Sequence, residues 1–255
     1  MLAMALGAFG IGTTEFVSMG LLNLIADDFS ITEDTAGVII SAYALGVVVG
    51  APLITAFTGM VPRRRLLLLL MAAFTIGNGL SLLASNYETL LVARFIAGLP
   101  HGAYFSVAGL SAASMAPVAQ RGRAVAFIAM GLSVATVIGV PAAQALGAAL
   151  GWPAAYGLVT LIGLLTVVAL WVVMPHMTQM RATNPRTELG ALKRSQVWLT
   201  LALGTVGFGG MFAVYTYISW TMTERAGLDG SWMWLVLMVY GIGSVAGTWF
   251  GGRLS

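Results

Sequence analysis

The sequence contains no cysteine and only two histidines, His101 and His176, among its 255 residues. Disulfide bonds and thiolate metal sites are therefore excluded, and two histidines without HExxH-type spacing do not predict a metal centre. Charged residues make up only 8% of the chain, whereas soluble domains carry about 25%. So few charged side chains cannot cover a water-soluble globule, and the solvent predicted for most of the chain is lipid.

The small excess of positive charge does not indicate a nucleic-acid partner. The formal net charge is +3 and the isoelectric point is near 9.5. The basic residues lie in short loops between apolar runs and form no patch with interleaved aromatic residues. We therefore expect no nucleic-acid partner and no cofactor, and we expect the lipid bilayer to be the surrounding medium.

Apolar runs of about 20 residues, the length that crosses a bilayer as a helix, recur along the chain and predict an all-α membrane protein. Eight segments qualify and are named spans one to eight in chain order: 2–22, 35–57, 66–84, 89–112, 124–149, 154–174, 197–221 and 232–250. The connections are short except for 175–196, a polar stretch that we predict to be a linker.

Lysine and arginine are distributed asymmetrically between the two ends of these spans. If the helices alternate in direction, one side holds Arg63, Arg64, Arg65, Arg121, Arg123, Arg181, Arg186, Lys193, Arg194 and Arg253, and the other holds Arg225 alone. The basic side is predicted to be cytoplasmic by the positive-inside rule. The chain is thus expected to be a multi-pass protein of a bacterial-type inner membrane, with a cytoplasmic linker at 175–196; the opposite side is called the acidic side.

A shift of 197 residues aligns the first two spans with the last two. Glycines and flanking residues coincide without a gap: Leu6, Gly7, Gly10 and Gly12 with Leu203, Gly204, Gly207 and Gly209, and Tyr43, Gly46 and Gly50 with Tyr240, Gly243 and Gly247. We therefore predict a six-helix N-terminal half at 1–174, the linker, and the first two helices of a second half at 197–255, with four further helices expected beyond. The alternative is a protein of eight spans.

Two ionisable residues stand inside spans, where an isolated charge is costly. Glu15 is the acidic residue deep in span one, and Arg94 lies within span four. Burial opposes ionisation of a carboxyl group whereas a neighbouring cation favours it, which is the balance that a proton-binding site needs. Glu15 could instead be structural, paired permanently with Arg94 or capped by Thr13 and Thr14, and Arg94 could extend to the headgroups.

Three further positions carry weaker signals. His101 lies on the same helix face as Arg94 and is either a packing residue or a ligand for substrate or protons. In span five, Gly139 permits close helix approach and Pro141 frees a backbone carbonyl and permits a bend. The arginines of the loop after span two, Arg63 and Arg64, are at least topology anchors.

Several motifs resemble those of the major facilitator superfamily. Arg63, Arg64 and Leu67 match its loop signature, although Gly59 replaces the usual aspartate. Arg94 and Gly98 resemble the span-four signature associated with proton handling, and Gly139 with Pro141 resembles a variant of the antiporter signature.

Together with the runs 12–16 and 98–104, these motifs resemble the drug/proton antiporter branch, which includes arabinose-efflux and chloramphenicol-resistance permeases. The resemblance implies the major facilitator fold and gating by the arginine loop. It also implies export of a small sugar or amphipathic drug in exchange for protons.

The function expected from the sequence is secondary active transport by alternating access, with proton-coupled export as the leading interpretation. A proton-coupled importer of the same fold is the nearest alternative. A membrane-embedded enzyme would need a nucleophile–base pair or a carboxylate–metal cluster at membrane depth, and the sequence offers neither. The full-length protein is expected to act as a monomer.

Overall fold

The computed structural model describes residues 1–175 and 193–254, and at 55, 56 and 247–254 it describes the backbone alone. Span one is Leu2–Gly20, followed by the short helix Leu22–Phe29. Spans two, three and six are the helices Glu33–Thr58, Arg63–Leu82 and Trp152–Val173. Span four comprises Tyr87–Gly98 and His101–Ser114, and span five comprises Arg121–Val134, a π-helical turn at Ala135–Gly139 and Val140–Leu150. Span seven is Ser195–Thr216 with a short helix at Ile218–Trp220, and span eight is Met233–Leu254.

The predicted all-α membrane architecture is confirmed in the residues that the structure describes, which contain no β-strand. Seven of their helical segments have the length and hydropathy to cross a membrane, and these are spans one to seven. Span eight contributes a shorter apolar stretch, Gly230–Ala246. Most of the predicted linker, residues 176–192, lies outside the described residues, as does Ser255.

Local sequence signals set several helix ends on the acidic side. Thr32 caps span two by accepting a hydrogen bond from the Thr35 backbone N–H at 3.3 Å. Asn86 and Thr89 form a reciprocal capping box at the start of span four. Gly151 joins spans five and six with a φ of 91°, a conformation that glycine adopts without the steric cost of a Cβ atom. The two caps satisfy backbone N–H groups that the helices leave unpaired, and the glycine allows the chain to turn between two helices.

Two buried apolar clusters hold the bundle together. The cluster toward the basic side, with Met4, Leu67 and Phe74, draws its buried residues from spans one and three to six. The cluster toward the acidic side also includes Tyr215 and Leu237, which belong to spans seven and eight. Among the described residues, spans seven and eight therefore join the first six chiefly at the acidic end.

Spans two and four approach each other backbone to backbone. A Cβ atom built on Gly98 would lie 2.2 Å from the Tyr43 carbonyl oxygen, and one on Gly46 would lie 2.2 Å from that of Phe95. A Cβ atom on Gly50 would likewise lie 2.1 Å from the Leu99 carbonyl oxygen. Small residues allow such contact in membrane helices, where association depends on close packing. Gly98 thus fixes the spacing between spans two and four.

Replacing Gly98 by alanine is expected to destabilise the protein by about 1–3 kcal/mol, the usual cost of overpacking a well-packed interior. Gly109→Ala is the matched control, because Gly109 is buried in the same span but its Cβ would meet only a Val125 methyl group at an ordinary 3.7 Å. Thermal unfolding in detergent should show a lower Tm for Gly98→Ala and an equal or higher Tm for Gly109→Ala. Equal Tm values in the two variants would contradict the close approach.

Span five departs from α-helical geometry over Ala135–Gly139, just before Pro141. Pro141 has no backbone N–H to donate, which loosens the hydrogen-bond ladder on its N-terminal side. Gly139 lies against span one, since its Cβ would be 2.2 Å from Thr13 Oγ1. On the other side of the turn, a Cβ on Gly241 of span eight would be 2.2 Å from the Thr136 carbonyl oxygen. The π-helical turn is therefore a contact between the first six spans and span eight.

Candidate functional site

Arg94 lies inside the bundle and not at the lipid surface, because its side chain is only 1% exposed. Its two terminal nitrogens donate to Thr14 of span one, Nη1 to Oγ1 at 2.9 Å and Nη2 to the carbonyl oxygen at 3.1 Å. The guanidinium carbon is 4.5 Å from the centre of the Tyr43 ring and 5.2 Å from that of Tyr156. Hydrogen bonds and two aromatic faces thus compensate for the loss of water around this cation. The alternative in which Arg94 extends to the headgroups does not occur.

Thr14 connects Arg94 to span three. Its hydroxyl donates to Asn78 Oδ1 at 2.5 Å while accepting from Arg94. The Asn78 amide in turn donates to the Phe74 carbonyl oxygen at 2.8 Å. Thr14 and Asn78 are fully buried, so the chain of bonds is shielded from water and ties spans one, three and four together.

Glu15 follows Thr14 but points to different surroundings. It lines a cavity of about 450 Å³ between spans one, two and seven, together with Tyr43, Phe212 and Tyr217. Neither Thr13 nor Thr14 caps it, since their hydroxyls donate to Phe9 and Asn78. In the part of the chain that the structure describes, Glu15 has no hydrogen bond and no ion pair with Arg94. It is a carboxyl group beside a fixed cation, without a partner of its own.

His101 belongs to the same site through Tyr43. Its Nδ1 and the Tyr43 hydroxyl are 2.9 Å apart and share a hydrogen bond. Its ring also packs against Phe105, with centroids 5.4 Å apart. His101 therefore contacts a residue that touches Arg94 and does not itself line the Glu15 cavity.

Among the described residues, the other predicted positions contribute no hydrogen bond to this cluster and do not line the Glu15 cavity. Arg63 begins span three at the basic side, and Arg64 next to it donates to the carbonyl oxygen of Trp171 in span six. Gly98 is one helical turn from Arg94 and packs on span two, while Gly139 and Pro141 shape span five. The structure thus brings Glu15, Arg94 and His101 together and leaves the remaining five as helix-packing or loop residues.

The sequence motifs did not indicate the residues that surround Arg94 and its partner Thr14. Tyr43, Asn78 and Tyr156 all contact Arg94 or its partner, yet none was identified as a site residue. A signal existed for Asn78, because an amide within an apolar span needs a polar partner. Tyrosines are common in membrane helices, so no pattern distinguished Tyr43 and Tyr156 from packing residues.

Comparison with known proteins identifies the family. A model of the Major Facilitator Superfamily matches residues 4–255. The chain is 40% identical to the inner membrane transport protein YdhP of Escherichia coli (strain K12) over 255 residues, which cover 100% of this chain and 66% of that protein. It is 35% identical to a chloramphenicol resistance protein of Streptomyces lividans, covering 99% of this chain and 65% of that one. The chain therefore spans about two thirds of the length of these relatives.

The fold is similar to that of a solved transporter structure. A bacterial homologue of the human lysosomal transporter Spinster, in an inward-facing and occupied conformation, matches with a TM-score of 0.80. The match has 19% identity and covers 100% of this chain and 60% of the other. The likeness of fold, the family model and the relatives agree with the motifs of the sequence. The chain belongs to the major facilitator superfamily, a family of membrane transporters and not of enzymes.

Proposed function

We propose that this chain is the part of a secondary active transporter that contains its proton site, and that the transporter exports an amphipathic compound in exchange for protons. The observation that carries the proposal is Glu15, a carboxyl group within the membrane that lines a cavity and has no partner among the described residues. An ion pair with Arg94 would hold Glu15 in its ionised form and would oppose the binding of a proton. The free carboxyl group can take up a proton when the cavity meets one side and release it to the other.

The lining of the cavity supports an amphipathic drug more than a sugar. Apolar and aromatic side chains such as Phe212, Val47 and Met19 dominate it, with few hydroxyl groups, among them those of Ser41 and Thr216. A sugar carries several hydroxyl groups that each require a polar partner once water is removed. An aromatic or aliphatic body with one or two polar groups finds better compensation there.

The packing of the halves supports alternating access. Spans seven and eight share the apolar cluster of the acidic side, and Asn23 donates to Thr223 there at 3.1 Å. The apolar cluster of the basic side contains no buried residue of span seven or eight among those the structure describes. Among the described residues, the buried apolar contacts between the first six spans and the last two thus lie toward the acidic side. Transport would then require the acidic-side contacts to break while others form, within a single monomer.

Everted membrane vesicles from cells that express the complete gene product test the proposal. Respiration acidifies their interior, so an exporter should accumulate radiolabelled chloramphenicol inside them and dissipate the pH gradient as it does so. L-arabinose, added at the same concentration, is expected to dissipate the gradient less. Loss of accumulation on addition of a protonophore would show that proton movement drives it.

The same vesicles distinguish the alternatives. An importer would expel chloramphenicol from everted vesicles, and accumulation of arabinose without chloramphenicol would assign a sugar substrate. Accumulation of chloramphenicol that persists without a pH gradient would contradict proton coupling.

A further inference from the structure

Tyr43 contacts both Arg94 and His101 and lines the same cavity as Glu15. Its ring lies against the guanidinium of Arg94, its hydroxyl bonds to His101, and its side chain lines the cavity beside Glu15. The side chain is 4% exposed and is therefore confined by its neighbours. The groups that face it come from spans one and four, and span six adds Tyr156 on another side of the guanidinium.

Arg94 has two possible partners that are adjacent in span one. It donates twice to Thr14, a neutral residue, although the next residue along the chain is the carboxyl-bearing Glu15. An ion pair with a carboxylate would add a Coulomb attraction that the bonds to neutral Thr14 lack. Consecutive residues of a helix point about 100° apart, so the guanidinium would have to move to reach Glu15, and the Tyr43 ring, 4.5 Å from its carbon atom, is one of the groups that confine it.

We propose that Tyr43, held in place by its hydrogen bond to His101, is the positioning residue that keeps Arg94 on Thr14 and away from Glu15. This inference rests on the proposed proton site and assigns its regulation. With the Tyr43 ring in place, the cation remains near enough to influence Glu15 but too constrained to pair with it. If the ring moves, Arg94 can swing to the carboxylate and hold it in the ionised form.

Two parts of the geometry support a role beyond packing. Tyr43 is the aromatic residue that both contacts the guanidinium and lines the Glu15 cavity, whereas Tyr156 contacts the guanidinium but does not line the cavity. Its backbone is also fixed, because the Tyr43 carbonyl oxygen lies where a side chain on Gly98 would have to be. The ring is therefore anchored at its backbone by span four and at its hydroxyl by His101.

Labelling of the purified protein with dicyclohexylcarbodiimide tests this role without knowledge of the substrate. The reagent attacks protonated carboxyl groups in apolar surroundings, and mass spectrometry of the peptide that contains Glu15 measures the adduct. Tyr43→Leu is expected to lower labelling at fixed pH by up to about tenfold, the change in protonated fraction that one pH unit of titration produces. Tyr104→Leu is the matched control, because it also removes a fully buried tyrosine and a bond between spans, to the Met4 carbonyl oxygen at 2.9 Å.

A second substitution separates positioning from a structural effect. If Arg94 forms an ion pair with Glu15 in Tyr43→Leu, the double variant Tyr43→Leu with Arg94→Gln should regain labelling of Glu15. Tyr43→Phe and His101→Leu remove the same hydrogen bond and should each lower labelling to a similar, intermediate level.

Unchanged labelling in Tyr43→Leu would overturn the inference while leaving the proton site intact. Low labelling that persists in the double variant would overturn it as well, because the loss would then not depend on Arg94. Absence of labelling in the unmodified protein at any pH would instead refute Glu15 as the proton site and with it the proposed coupling.

Discussion

Glu15→Gln is expected to reduce pH-driven accumulation of chloramphenicol in everted vesicles to the background of vesicles without the transporter. Glutamine keeps the size and polarity of the side chain but cannot exchange a proton. In the described residues Glu15 has neither a hydrogen bond nor an ion pair to lose. The substitution therefore removes the proton site without removing a structural contact, and it should leave the Tm nearly unchanged.

The control is Glu88→Gln, the same chemical change at an exposed position in the first turn of span four. It should accumulate chloramphenicol as the unmodified protein does. The decisive measurement is the dependence of the initial rate on external pH, which should be flat in Glu15→Gln and steep in the control. An unaltered pH dependence in Glu15→Gln would assign this residue to the scaffold and would require another proton site.

A disulfide across the acidic side is expected to stop transport completely and reversibly. Asn23 lies in the helix after span one and Thr223 lies in the turn after span seven, and their side chains share a hydrogen bond at 3.1 Å. A disulfide also requires suitable Cα and Cβ separations, so formation of the cross-link is verified by mass spectrometry before transport is measured. If alternating access requires this contact to open, the oxidised Asn23→Cys/Thr223→Cys variant should be inactive and should recover with reductant. These 255 residues contain no cysteine that could form a competing disulfide.

A disulfide within one half serves as the comparison. Thr32 and Thr35 lie in the same turn at the start of span two, with their hydroxyl oxygens 2.9 Å apart. Thr32→Cys/Thr35→Cys should form a disulfide without loss of transport, because no movement between halves is blocked. Full activity of the oxidised Asn23→Cys/Thr223→Cys variant, with the cross-link verified by mass spectrometry, would exclude opening at this contact.

The fold class could be predicted from the sequence because lipid imposes strong constraints on it. Apolar runs of sufficient length must form helices, since an unpaired backbone group is costly in hydrocarbon. The observed spans agree with the predicted ones to within a few residues at most ends. The interruption of span four at 99–100 and the π-helical turn of span five were not predicted as such, although Pro100 and Pro141 are adjacent to them. Helix deviations depend on neighbouring contacts as well as on the local sequence.

Other features of the chain lie beyond what the structure tests. The proposed domain boundaries at 174 and 197 and the 197-residue repeat remain predictions, because 176–192 lie outside the described residues. The roles of Arg63 and Arg64 in gating also remain predictions, since their positions agree equally with anchoring at the basic side. The same holds for the functional roles of Glu15, Arg94 and His101.

By itself the sequence determined that this is a helical membrane protein and that Glu15 and Arg94 are costly exceptions within it, because transfer of a charge into lipid is expensive wherever the helix points. Only the tertiary structure decided that Arg94 faces inward, bonds to Thr14 and not to Glu15, and lies against Tyr43. Helical periodicity places residues on one face of their own helix, but the rotation and depth of one helix against another follow from packing along the whole interface. Packing along the interface therefore decides whether Arg94 bonds to Thr14 or to Glu15. Thr14, the observed partner, lies 80 positions away in the sequence.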